Sequence, residues 1–142
     1  MTRVQFLHGA PDRLAAAADW LRDAWQRRQP VLVYVPRGAD ADRLDHLLWS
    51  QPATGFVPHC RAGSPLATET PILLAPTLDE LPHDGCLVNL GDELPPGFAR
   101  FEELIEIVST AEADRLPARE RFRFYRERGY AIDARDISGG LP

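Results

Sequence analysis

The run Val31-Leu-Val-Tyr-Val35 constrains the fold of this chain most, because an unbroken series of apolar, largely β-branched residues is what a strand covered on both faces requires. Such a strand needs helices on either side, and the preceding residues supply one. Residues 4–8 read as a first strand. Pro11-Asp12 then opens a helix in which Leu14, Ala17, Ala18, Leu21, Ala24 and Trp25 recur at helical spacing. After the apolar run, Asp40 or Asp42 is expected to cap a second helix that presents Leu44, Leu47 and Leu48 and ends near Trp49. Two strand–helix units in succession predict an α/β chain with a Rossmann-like, three-layer arrangement around a mostly parallel sheet.

Further along, residues 51–66 are rich in turn formers around the apolar pair Phe56-Val57, and short apolar strands are expected at 71–75, 86–90 and 103–109. Residues 91–97 read as a surface loop, 114–129 as the last long helix, and 131–137 as an edge strand before a loose tail. A length of 142 residues fits a single domain over 1–142 that buries a core without staples.

Missing residue types narrow the chemistry. All sixteen basic residues are arginine, which removes classes that need a lysine: P-loop phosphate binding, Schiff-base catalysis and kinase-type phosphoryl transfer. The turns Leu7-His8-Gly9-Ala10-Pro11-Asp12 and Pro36-Arg37-Gly38-Ala39-Asp40 carry one glycine each. They lack the G-x-G-x-x-G spacing that brings backbone against a pyrophosphate, so no nucleotide site is expected. Cys60 and Cys86 are too isolated for a zinc site or a disulfide framework and are expected to be reduced thiols. His8, His46, His59 and His83 are scattered, with neither a Gly-x-Ser-x-Gly elbow nor a His-Glu-x-x-His helix beside them. His59 and Cys60 are adjacent, yet neighbours on a strand diverge, and the His59 ring is expected to be satisfied by a backbone group. Asp40, Asp42 and Asp45 sit at a helix start, where capping and the helix dipole account for them. No catalytic residue, metal or cofactor is therefore expected. Without ~20 consecutive apolar residues for a bilayer helix, or a basic-then-apolar leader, the chain reads as cytoplasmic.

The late helix carries the functional signal. Arg115, Arg119, Arg121, Arg123, Arg126 and Arg128, set against Glu120 and Glu127, give residues 115–128 a charge of +4 within a chain of −5, leaving −9 elsewhere. A basic surface on an acidic body favours a chosen anionic partner over indiscriminate polyanion binding, although basic residues near a helix C-terminus also offset the dipole with no partner at all. At about 100° per residue, Arg115, Arg119, Arg123 and Arg126 share one arc. Phe122 lies at its edge, and Ala118, Phe122 and Tyr125 form the core-facing seam. Arginines bordering an aromatic ring suit an acidic peptide: forks for its carboxylates, a ring for an apolar side chain. Trp49, Phe56, Val57 and Pro58 are anchor material for a second protein surface and serve equally well as core.

Three segments become recognisable together. Leu44-Asp45-His46-Leu47-Leu48-Trp49, then Phe56-Val57-Pro58-His59 with Ala62-Gly63, and Ala118-Arg-Glu-Arg-Phe-Arg-Phe-Tyr-Arg-Glu-Arg-Gly129 resemble, in order and over nearly the whole chain, the chi subunit family of bacterial DNA polymerase III. The resemblance implies a Rossmann-like fold without nucleotide chemistry and a noncatalytic, accessory role in the clamp loader of the replicative holoenzyme. It also implies two partners, the psi subunit and the acidic C-terminal tail of single-stranded DNA-binding protein, with DNA met only indirectly or weakly and no membrane. Arg115, Arg119, Phe122 and Arg123 match the tail-binding positions, to which the helical arc adds Arg126; Trp49, Phe56 and Pro58 match the psi-facing surface. Phe122 stands where relatives are expected to carry tyrosine, which loses a hydroxyl and keeps the ring. Arginines stand at two positions where lysine is familiar, keeping charge and adding fork geometry. The competing reading is a direct single-stranded nucleic-acid binder that uses the same arginines. A small hydrolase would need a catalytic constellation that the sequence does not offer.

Overall fold

The computed structural model describes residues 1–50, 57–62, 64, 70–78 and 84–141. Along them run β1 (Arg3–Ala10), α1 (Arg13–Gln26), β2 (Val31–Tyr34), α2 (Gly38–Trp49), β3 (His59–Arg61), β4 (Ile72–Ala75), β5 (Cys86–Asn89), β6 (Glu103–Ser109), α3 (Glu112–Glu127) and β7 (Ala131–Asp136), with a 3-10 turn over Phe98–Arg100 before β6. The strands form one sheet in the order β3-β4-β2-β5-β6-β1-β7, and every pairing in it is parallel. The chain leaves β1 toward β2 in one direction and leaves β6 toward β7 in the other. Right-handed crossovers then place α1 and α2 on one face and α3 on the opposite face.

The central strand behaves as its sequence requires. Val31 and Val33 pack with the α1 and α2 side chains, whereas Leu32 packs with Tyr125 of α3 on the other face. All three are fully buried, and each side chain of this size contributes about 1.5–3 kcal/mol of transfer free energy. The seam of α1 is seated by Leu14, Ala17, Ala18, Leu21 and Ala24, with Trp25 half-buried at its margin. Asp12 caps this helix, its carboxylate accepting the Ala15 N–H at 3.0 Å.

The structure corrects three expectations. Helix α2 begins at Gly38 with Arg37 at the cap position and no side-chain cap bond, so neither Asp40 nor Asp42 caps it. Asp40 pairs with Arg37 at 3.6 Å and Asp42 with Arg61 at 2.8 Å, which turns both carboxylates outward. Helix α3 starts at Glu112 rather than at 114, because Glu112 and Asp114 put negative charge on the positive end of the dipole. The turn-rich segment hides strand β3, whose three residues hold their place by pairing with β4. As anticipated, β7 lies at the sheet edge.

Doubly wound sheets open a crevice at the carboxyl ends of their strands, where connections diverge to opposite faces. Here Arg13, at the start of α1, fills it. Its Nε donates to the Ile107 carbonyl at 2.7 Å, and Nη2 donates to Gly91 at 2.9 Å and Asn89 at 3.2 Å. Burial pulls the Arg13 pKa down, opposed by the Glu106 carboxylate. The Thr110 N–H donates to the Ala10 carbonyl at 2.9 Å and ties the two diverging loops together. What remains there is a pocket of about 230 Å3 lined by Asp12, Arg13, Arg43 and Asp114, and a larger space lies along the flank of α3.

Candidate functional site

A cleft of about 450 Å3 runs between α3 and the carboxyl ends of β1 and β6. Phe6 and Val108 form its floor from the sheet, and Ala118 and Phe122 form its inner wall from α3. Arg115, Arg119, Arg123 and Arg126 line its outer edge, so all five residues singled out on the helix border one space. The Phe122 ring meets Phe6 edge-on, 5.0 Å between centroids at 74°, which fixes the aromatic wall. The Arg126 guanidinium stands 5.9 Å from the Phe122 centroid. Arg123 makes an exposed i, i+3 contact with Glu120 at 3.4 Å, a pairing worth little in water. Among the described residues, Arg115, Arg119 and Arg126 have no ion-pair partner. The cleft thus offers cations with open donor capacity beside an apolar floor.

The far end of the cleft is shaped by β1. Gly9 adopts a φ of +83°, and a Cβ there would stand 2.8 Å from Asp136 Oδ1; only glycine fits that approach. The Asp136 carboxylate accepts the Ser138 N–H, which holds its pKa below the usual carboxylate value. That anion sits beside the strand-end wall of His8 and Gly9, so the negative end of the cleft lies opposite the α3 arginines. None of the sheet residues of the cleft was found from sequence, because their adjacency to α3 depends on β1 lying next to β6.

Arg121 departs from its neighbours. It is 3% exposed, and its Nε and Nη2 grip the Glu106 carboxylate at 2.9 and 3.1 Å while Nη1 donates to the Asp92 carbonyl at 2.7 Å. Glu106, fully buried on β6, also accepts from Tyr125 Oη at 2.6 Å and Asn89 Nδ2 at 3.0 Å. Desolvation raises the Tyr125 pKa, and the adjacent Glu106 charge adds to it. The sequence carried one signal of this network: Glu106 interrupts the apolar stretch of residues 104–108, and a carboxylate buried there needs a cation.

On the opposite face, Trp49 at the end of α2 is 61% exposed, its ring edge-on to His59 at 5.8 Å and 67°. His59 Nδ1 donates to the Val57 carbonyl at 2.6 Å, as expected, and its Nε2 lies 2.7 Å from Asp45 Oδ1. Cys60 points away to the α3 side of the sheet, so the pair diverges. Pro58 is half-buried beside this group, and Phe56 lies outside the described residues. Among the described residues no helix is long and apolar enough to cross a membrane.

Residues 1–133 match the family described as DNA polymerase III chi subunit, HolC. The chain is 36% identical over 138 residues to the DNA polymerase III subunit chi of Pseudomonas aeruginosa, covering 93% of this chain and 94% of that protein. It is 29% identical over 112 residues to the corresponding subunit of Escherichia coli, covering 78% and 76%, and 28% identical over 114 residues to that of Haemophilus influenzae, covering 80% and 79%. The chain belongs to the DNA polymerase III chi subunit family and is an accessory subunit of that replicative polymerase.

Proposed function

We propose that this chain acts as a noncatalytic, single-domain linking module of the clamp loader in the cytoplasm. It receives the acidic C-terminal tail of single-stranded DNA-binding protein in the α3 cleft, and the psi subunit on the surface of Trp49, Phe56 and Pro58. The observation that carries the reading is the convergence of Arg115, Arg119, Arg123 and Arg126 on the cleft that Phe122 and Phe6 floor and wall. A tail ending in aspartates, an apolar side chain and a free α-carboxylate supplies anions to the arginines and an apolar group to the floor. Ordering a disordered tail opposes binding, so the affinity is micromolar in order and falls with salt. Several tails on an oligomeric partner raise the effective affinity without new contacts.

The test is a fluorescence-anisotropy titration with a labelled acidic peptide ending in a free-carboxylate phenylalanine, run beside its amidated form and single-stranded DNA. Arg119→Ala should weaken the free-carboxylate peptide by about ten-fold, the loss of one charge-assisted hydrogen bond. Arg128→Ala should change it by less than about two-fold, because that side chain stacks on Phe124 at 4.9 Å, away from the cleft. DNA binding with a steep salt slope and no response to the peptide would overturn the tail reading in favour of direct nucleic-acid binding.

A further inference from the structure

Helix α3 is seated on the sheet by few apolar side chains. Its buried residues are Ala118, Tyr125 and Arg121. Phe122 and Phe124 are half-buried and rest edge-on against Phe6 and Phe98 on the two flanks, but ring contacts tolerate small rotations that a hydrogen bond does not, so the directional constraint on rolling falls on the guanidinium. Arg121 grips both oxygens of Glu106 and reaches the Asp92 carbonyl, while Glu106 is itself held by Asn89 of β5. Arg121 and Phe122 are consecutive, about 100° apart on the helix, and flank the seam on its two edges. Whatever sets the angle of Arg121 therefore sets the angle of the ring and of the arginines beyond it. At a radius of about 6 Å, a roll of about 20° moves the helix surface by about 2 Å, more than a charged hydrogen bond tolerates. A buried ion pair is a poor source of stability but a good device for selecting one arrangement.

We infer that Glu106 and Arg121 are positioning residues that fix the roll of α3 and thereby hold Arg115, Arg119, Phe122 and Arg123 in register with a bound acidic tail. The inference rests on the docking reading above.

The test is a charge-neutral double substitution, Glu106→Gln with Arg121→Met, which leaves the formal net charge at −5. The introduced amide oxygen still accepts from Tyr125 and Asn89, and the thioether that replaces the guanidinium leaves no buried charge unpaired. The double variant should unfold in a single cooperative transition, yet bind the free-carboxylate peptide at least about five-fold more weakly than the wild type at every salt concentration. A purely structural or purely electrostatic role predicts no such loss at equal stability and equal charge. Arg121→Lys, which keeps the charge and loses the fork, should lose part of the affinity. Binding within about two-fold of wild type in the folded double variant would overturn the inference; if that variant does not fold, wild-type affinity in Arg121→Lys would do so. Should the wild type itself ignore the peptide, the docking reading fails separately. Amide exchange then decides whether the anchor exists: faster exchange confined to α3 in either variant supports it, and unchanged exchange refutes it.

Discussion

Replacing Arg22 should stabilise the protein, against the usual direction for a buried residue. The Arg22 side chain on α1 is 9% exposed, and Nη1 reaches Asp19 Oδ1 at 3.1 Å, with Asp19 itself 60% exposed. Its Nε and Nη2 are buried with no hydrogen-bond partner among the described residues. Each unpaired buried donor costs about 1–3 kcal/mol, whereas a contact with a solvated aspartate contributes about 1 kcal/mol at most. Methionine retains most of the apolar stem and carries no donor. Taking the lower cost for each nitrogen and subtracting the lost pair, Arg22→Met should gain about 1 kcal/mol, or about 3 °C in Tm for a chain of this size. Urea unfolding followed by far-ultraviolet circular dichroism at pH 7 measures it, provided the denaturant slopes agree. A loss of about 1 kcal/mol or more would refute the reasoning, because it would mean that hydration or another partner satisfies the guanidinium in solution.

The other expectations concern a cap and a thiol. Asp12→Ala should cost about 1 kcal/mol at pH 7 through the lost N-cap. The Ala15 N–H bond lowers the folded pKa of Asp12 from 3.8, so its charged form contributes stability above that pH and loses it as the pH falls through the depressed folded value. The gap between variant and wild type should therefore close in acid, and a gap that stays constant from pH 7 to pH 2 would contradict it. Burial pushes the Cys86 thiol up to about 12, while Cys60 is only partly buried. At pH 8 a thiol reagent should modify one cysteine quickly and the second only after denaturant is added; two fast thiols would be the wrong result.

Periodicity carried the fold as far as periodicity could. The α1 seam and the β2 run were legible because side-chain spacing alone dictates which face is covered. Strand β3 was hidden: three residues among glycines and prolines have no local pattern, and their state is decided by pairing with β4 and by the Asp45 contact to His59. The start of α2 misled for a related reason, since Gly38 and Arg37 carry no cap signal and the aspartates that resemble caps bind arginines instead. On α3 the outward arc was readable because an exposed face needs only the helical repeat. Its opposite wall was not, since Phe6 and Val108 meet it only through the order of strands in the sheet. Arg121 was counted with the basic surface and proved to be core.

Charge distribution bears on the size of ligand that the docking reading allows. The basic arc is confined to one helix, and the body around it carries −9. At physiological ionic strength the Debye length is about 8 Å, so a group in contact with the arginines is governed by them, and one placed beyond that distance meets the acidic remainder, itself largely screened. A nucleic-acid strand spreads its charge evenly and gains affinity by extending its contacts along a basic track. Extension beyond α3 would instead bring phosphates over carboxylates such as Asp136, Asp133 and Glu103, which lie along β7 and the entry to β6. A short acidic terminus docked as proposed would concentrate its anions within the arc and end there, its last side chain against the Phe6 and Phe122 rings. Peptide affinity should accordingly plateau once the charged residues span the α3 arc, and further upstream aspartates should add nothing or weaken binding. An affinity that climbed steadily with peptide charge and length would contradict this, because it would show that the arginines act as an unbounded basic field rather than as a cleft.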